Sequence, residues 1–143
     1  MMMKSIAVAL TTLLLAGCGM SKNGKPVTES DLLHHNFALQ SVDGVAVKSH
    51  RGNGPNIEFG ETMHVYGAMC NRFFGNGQLR DGILTVKGLA STRMLCPDPQ
   101  LNQWDAMIGD VLGNGAKVTL SAQQLTLSGS DHTLVYKLRD WVQ

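Results

Sequence analysis

Apolar residues alternating at period two, cut into short runs by turn dipeptides, constrain this chain more than any other feature. The run Phe37-Ala38-Leu39-Gln40-Ser41-Val42 is followed by Asp43-Gly44 and then by Val45-Ala46-Val47. Asp-Gly tolerates positive φ at both central positions of a type I′ turn, whose twist matches the flanking strands, so this reads as a hairpin. Similar punctuation recurs at Asn76-Gly77, Asp81-Gly82 and Asn114-Gly115. Between these lie Ile57 and Phe59, Met63 and Val65, Leu84 and Val86, Val118 and Leu120, Leu125 and Leu127, and Leu134, Tyr136 and Leu138. Each set is spaced for a strand with one buried face. Short gaps favour sequential antiparallel neighbours, and seven or more such strands must curl or close to cover that face. The expected fold is mainly β with one helix (α+β): an antiparallel meander curling into a small barrel-like sheet, with an amphipathic helix packed on it.

The helix is read from the one segment that breaks the alternation. Leu101, Trp104, Ile108, Val111 and Leu112 trace an apolar stripe of about 3.6 period. Asp98 can cap its free amides, Pro99 suits its first position, and Gly113 suits a left-handed stop. Gly109 inside it costs up to about 1 kcal/mol against alanine, so packing of the stripe must hold the helix. Trp104 is read as core.

The N-terminus carries an address. Lys4 precedes a mostly apolar run over residues 6–15, and Leu15-Ala16-Gly17-Cys18 follows. The order is that of a secretion signal, and the run is half the roughly 20 residues that a membrane span needs. The tetrad resembles a bacterial lipobox. That resemblance implies cleavage before Cys18, acylation of Cys18, and, because Gly19 rather than Asp follows, export to the periplasmic face of the outer membrane. Acyl chains at about 0.8 kcal/mol per buried CH₂ make such an anchor effectively permanent. Residues 18–30 are then the lipidated N-terminus and a polar tether with a reach of roughly 20 Å, and residues 31–143 are the folded domain.

Loss of residues 1–17 from the 143 leaves 126, enough for one core. Lys4 goes with the signal, leaving 11 Lys+Arg against 11 Asp+Glu, a balance that disfavours nucleic acid. With Cys18 committed to lipid, Cys70 and Cys96 remain in an oxidising compartment, where a disulfide is the default. Closing a loop of about 26 residues would stabilise the fold by roughly 3.5 kcal/mol.

The densest unusual stretch is Gly67-Ala68-Met69-Cys70-Asn71-Arg72-Phe73-Phe74-Gly75, followed by Thr92-Arg93-Met94-Leu95-Cys96 and a Pro-Gln-Leu-Asn helix opening. With the terminal Gln-Leu-Thr-Leu and Leu-Val-Tyr-Lys-Leu strands, these segments resemble the META domain family over residues 34–138. The resemblance implies a compact β-rich domain with one helix, of a kind found in envelope proteins linked to heat shock and antibiotic tolerance, and implies no reaction. Read physically, Gly67 and Gly75 bracket a change of direction where a missing Cβ permits unusual φ/ψ or close approach. Asn71 can bond nearby backbone and hold that bend. Arg72 either serves a partner or packs its stem with its head in water. Phe73 and Phe74, being adjacent, either face opposite sides of an extended stretch, leaving one exposed as an anchor, or are both buried by the bend. Thr92, Arg93 and Met94 complete the candidate binding set.

Catalysis is disfavoured. A thiolate nucleophile would need Cys70 or Cys96 free with a base such as His64 in reach, and no Cys-x-x-Cys pair or Gly-x-Ser-x-Gly elbow exists. The histidines at 34, 35, 50, 64 and 132 fall in no metal-ligand spacing, and His34-His35 reads as a strand entry. Gly52-Asn53-Gly54-Pro55 leads into strand-like residues and is no phosphate loop. No cofactor or metal is expected. Two function classes remain: an envelope module binding a protein or cell-wall component, and a lipocalin-like barrel holding an apolar ligand.

Overall fold

The computed structural model describes residues 26–48 and 54–139. The lipobox with Cys18 and Gly19, His50, and the pair Gly52-Asn53 lie outside the described residues. In chain order the elements are α1 (Glu29–Leu32), β1 (Asn36–Val42), β2 (Val45–Ala46), β3 (Asn56–Phe59), a 3-10 turn (Glu61–Met63), β4 (His64–Ala68), β5 (Arg72–Arg80), β6 (Ile83–Ser91), α2 (Pro99–Asn114), β7 (Ala116–Ser121), β8 (Gln124–Gly129) and β9 (His132–Leu138). Two of the four turn pairs make the tight hairpins that they imply. Asp43 and Gly44 have φ of 51° and 81°, and Asp81 and Gly82 have 51° and 76°, as a type I′ turn requires.

Neighbouring strands from β3 to β9 pair antiparallel in chain order. β9 then returns to β1, from Phe37↔Leu138 to Val42↔Leu134, while β1 also pairs β3 through Phe37↔Ile57. The result is a closed eight-stranded antiparallel barrel, with β2 a short flap on the far end of β1. The period-two residues point inward: Ile57, Phe59, Val65, Leu84, Val86, Leu125, Leu127, Leu134 and Tyr136 are each at most 1% exposed. Each such aliphatic or aromatic side chain contributes about 1.5–3 kcal/mol by leaving water. Packed side chains fill the barrel interior.

One seam is narrow. β6 and β7 share only Ile83↔Lys117 and Leu84↔Ala116, so β6 beyond Leu84 has no strand on that side. The connection between them is α2, which packs on β6 and β8 and adds Trp104, Met107, Ile108, Val111 and Leu112 to the core. Asp98 caps it by accepting from the Gln100 amide at 2.9 Å, and Pro99 stands at its start.

Three local expectations are corrected. Asn76-Gly77 is no turn but lies inside β5, where Gly77 is needed because a Cβ there would stand 2.9 Å from both the Met63 carbonyl and Val65 Cγ2. The helix stops at Gly115 (φ 101°), not Gly113, which is still helical. Residues 27–30, expected to belong to the tether, are part of the fold: Val27 and Leu32 are buried in the core, and the Thr28 amide donates to Asp31 Oδ2 at 2.9 Å to start α1. The β7–β8 and β8–β9 turns, for which the sequence offered no signal, use Ala122 (φ 55°) and Ser130-Asp131 (49° and 64°), with no glycine at the positive-φ positions.

Candidate functional site

The motif glycines sit on facing strands of the β4–β5 hairpin, each for close approach. Gly67 lies opposite Phe73 in the register. A Cβ on Gly67 would collide with the Phe73 ring and stand 2.5 Å from the Asn56 carbonyl, so the ring lies directly on the glycine and is 2% exposed. A Cβ on Gly75 would meet Val86 Cγ1 at 2.7 Å. Phe74, the next residue, faces out at 45% exposure opposite Tyr66 at 46%, and the His64 ring lies 4.7 Å from that of Tyr66.

Between the two strands the turn over residues 69–71 brings three distant segments together. Cys70 is bonded to Cys96, with Cα atoms 6.0 Å apart. Asp105 on α2 accepts from the Cys70 amide at 3.0 Å and the Asn71 amide at 2.9 Å on Oδ1, and from Asn71 Nδ2 at 2.8 Å on Oδ2. The rest of the Asn71 amide goes to the segment after β6: Nδ2 donates to the Met94 carbonyl at 2.9 Å, and Oδ1 accepts from the Met94 amide at 2.6 Å and the Thr92 hydroxyl at 2.9 Å. Both donors and both acceptor positions of this buried side chain are used, as a buried polar group requires. The expectation that Asn71 holds a local bend is therefore corrected: its side-chain partners lie 21–34 residues away.

Asn102 makes a second clamp one helical turn earlier. Its Oδ1 accepts from the Cys96 amide at 3.0 Å, and its Nδ2 donates to the Cys96 carbonyl at 2.9 Å. Residues 92–98 thus form a strap held by two asparagines and a disulfide. On it Met94 is 64% and Leu95 88% exposed, and Arg93 is exposed, as is Arg72 beside it. The Arg72 amide donates to the Thr92 hydroxyl at 3.2 Å, and the Thr92 amide to the Arg72 carbonyl at 3.0 Å. A groove of about 740 Å³ runs between strap and helix, lined by Asn71, Met94, Leu95, Asn102 and Asp105.

Of the candidate residues, Asn71, Arg72, Thr92, Arg93 and Met94 come together here, whereas Gly67, Phe73 and Gly75 pack in the barrel wall and Phe74 faces away on the outer sheet. Sequence reading missed Asn102 and Asp105. Their signal was the i, i+3 spacing that puts both on one face of α2 beside the apolar stripe. His64 is at the far end of β4 from the turn, opposite Asn76, and Cys70 is in a disulfide, so the thiolate-base pair does not form. Of the described histidines, the neighbours His34 and His35 precede β1 while His64 and His132 stand on β4 and β9, and no cluster of three or more His, Cys, Asp or Glu suited to a metal occurs among the described residues.

One polar pair outside this region links the barrel seam. His132 Nδ1 lies 2.7 Å from Asp43 Oδ2, and the Thr133 amide donates to Asp43 Oδ1 at 2.8 Å. The His132 bond first, then the Thr133 amide, hold the Asp43 carboxyl below the usual carboxylate range.

The META domain model matches residues 30–141. The chain is 50% identical over 139 residues to Heat shock protein HslJ of Escherichia coli (strain K12), covering 97% of this chain and 98% of that protein. A solved NMR structure, 51% identical, superposes with a TM-score of 0.76 over 82% of this chain and 99% of its own. The NMR structure of a protein from Burkholderia xenovorans, 23% identical with a TM-score of 0.66 over 95% and 100% of the two chains, shares the fold. By its domain match, its half-identical relative and its barrel-plus-helix architecture, this chain belongs to the META domain family.

Proposed function

We propose that the protein is an outer-membrane lipoprotein, anchored through Cys18 and facing the periplasm. It acts without catalysis, by holding a binding surface close to a protein or cell-envelope component during heat or antibiotic stress. The observation that carries this reading is where the motif residues go. Asn71, Thr92 and the two cysteines converge on saturated hydrogen bonds and a covalent bridge that present an exposed strap; they assemble no nucleophile beside a base. The relative's name, a heat shock protein, supports the stress context, and a lipid anchor raises the effective concentration of such a surface near its partner.

Complementation of a deletion strain under heat or antibiotic challenge tests the reading. Cys18→Ser should abolish fatty-acid labelling and protection, and Gly19→Asp should move the protein to inner-membrane fractions. His64→Ala and His132→Ala should protect as the wild type does. Loss of protection in a folded, correctly placed His64→Ala protein would overturn the non-catalytic reading.

A further inference from the structure

We infer that the strap is a substrate-like inhibitory loop, which offers Leu95 to the cleft of an endopeptidase with an aliphatic primary pocket. This inference names the partner class for the binding reading above and rests on it. Met94 is held by both its backbone amide and its carbonyl through Asn71, at 2.6 and 2.9 Å. Cys96 is held in the same two-point way through Asn102, at 3.0 and 2.9 Å, and also by its bond to Cys70. Leu95, between them, is 88% exposed. The residues on either side are therefore pinned to the protein body while the central one projects outward.

A single exposed leucine is ordinary on a protein surface. One whose two neighbours are each fixed by a bidentate side chain is different, because the entropy of ordering the loop is lost in folding and is not charged again on binding. Each asparagine bonds the amide and the carbonyl of one residue, the pair of bonds that a partner strand would make, and Leu95 between them is offered to another molecule. Partners that read an extended backbone take main-chain hydrogen bonds for affinity and a pocket for one side chain for specificity, which is how an endopeptidase grips its substrate. A lipid surface, by contrast, rewards a broad apolar face, and the strap offers two apolar side chains flanked by Arg93 and Pro97.

The clamps also explain why such a cleft is blocked rather than supplied with substrate. Hydrolysis of the Leu95–Cys96 peptide bond adds one water and leaves a Leu95 carboxylate and a Cys96 amine. The first end stays beside Asn71 through Met94, and the second stays on Asn102 and Cys70. Neither end can diffuse away, so resynthesis of the bond competes with release.

The test uses the full-length protein, purified in detergent with its disulfide intact, against chymotrypsin, pancreatic elastase and subtilisin cleaving small chromogenic peptides. Stoichiometric inhibition of at least one is expected. Leu95→Glu, at a side chain too exposed to matter for folding, should weaken it at least tenfold, and Asn102→Ala should turn the protein into a substrate cut between Leu95 and Cys96. No inhibition of any of the three, or inhibition unchanged by Leu95→Glu, overturns the inference. The Cys18→Ser complementation experiment judges the binding reading independently, since it involves no endopeptidase.

Discussion

The barrel and the strap are stabilised by opposite means. In the barrel, two dozen apolar side chains share one core, so a swap that keeps a side chain's volume is absorbed by its neighbours, while truncation leaves a cavity that the whole core feels. The strap over residues 92–98 contributes no residue to that core. It is fixed by a disulfide and by directed hydrogen bonds to Asn71 and Asn102, with Asp105 orienting Asn71 in turn. Burial tolerates substitution by something of similar size, whereas a saturated polar network fails when any member is removed. The barrel is thus a robust support, and the strap a brittle, well-ordered presentation.

The largest effect should come from the barrel side of the shared hairpin. Phe73→Ala removes a ring that lies against Gly67 in the core and should cost about 4 kcal/mol. Urea denaturation should show it as a lower midpoint with all probes moving together. If the strap loosened while the barrel midpoint stayed put, the division between the two regions would be drawn in the wrong place.

Next comes the bridge itself. Reduction of Cys70–Cys96, or replacement of both by serine, should cost about 3.5 kcal/mol through the entropy returned to the unfolded chain. The wild type purified without reductant should titrate no thiol at these two positions. Asp105→Ala should follow at about 2 kcal/mol, since it strips a partner from two backbone amides and from Asn71 Nδ2. Here the effect should be local. Amide exchange at residues 70, 71 and 94 should accelerate far more than exchange in β8 and β9. Combined with Asn71→Ala, the loss should be well short of the sum, because the two residues act as one unit.

The same contrast explains what was legible in the sequence. Period-two burial revealed β1, β3, β4 and β6 to β9, and the 3.6 stripe with Asp98 and Pro99 revealed α2, because these patterns are local. Asp-Gly marked two turns for the same reason. Asn76-Gly77 misled because glycine serves close approach as well as positive φ, and only the position of Val65 and Met63 across the sheet decides which. Closure of β9 onto β1 and the partners of Asn71 depend on contacts dozens of residues apart, for which a single chain carries no local signal. The motif could be recognised as a unit, but its hydrogen-bond logic could not be read without Asn102 and Asp105.

A smaller effect should appear at the barrel's closing seam. Because Asp43 titrates below its ordinary value when folded, its bonds to His132 and Thr133 contribute stability that is present above about pH 4 and is lost as the pH falls through the folded value. The pair is partly exposed, so the contribution is modest. Asp43→Asn should flatten the acid limb of a stability-pH curve while leaving strap exchange unchanged. Acceleration of exchange at Met94 in that variant would mean that seam and strap are coupled after all.

The smallest effect tests the claim that burial alone sustains the barrel. Tyr136 on β9 is fully buried, and its hydroxyl has no hydrogen-bond partner among the described residues. A buried donor without a partner costs stability that its ring contacts must offset. Burial also pushes the phenol's pKa up, so the folded group stays neutral where the unfolded one ionises. Tyr136→Phe should therefore be neutral or stabilising by up to about 1 kcal/mol at pH 7. It should also remove part of the stability lost above about pH 10, where the unfolded phenol releases its proton and the folded one does not. A loss of 2 kcal/mol or more would show that the hydroxyl contributes a directed bond, and the barrel would then share the brittleness assigned here to the strap.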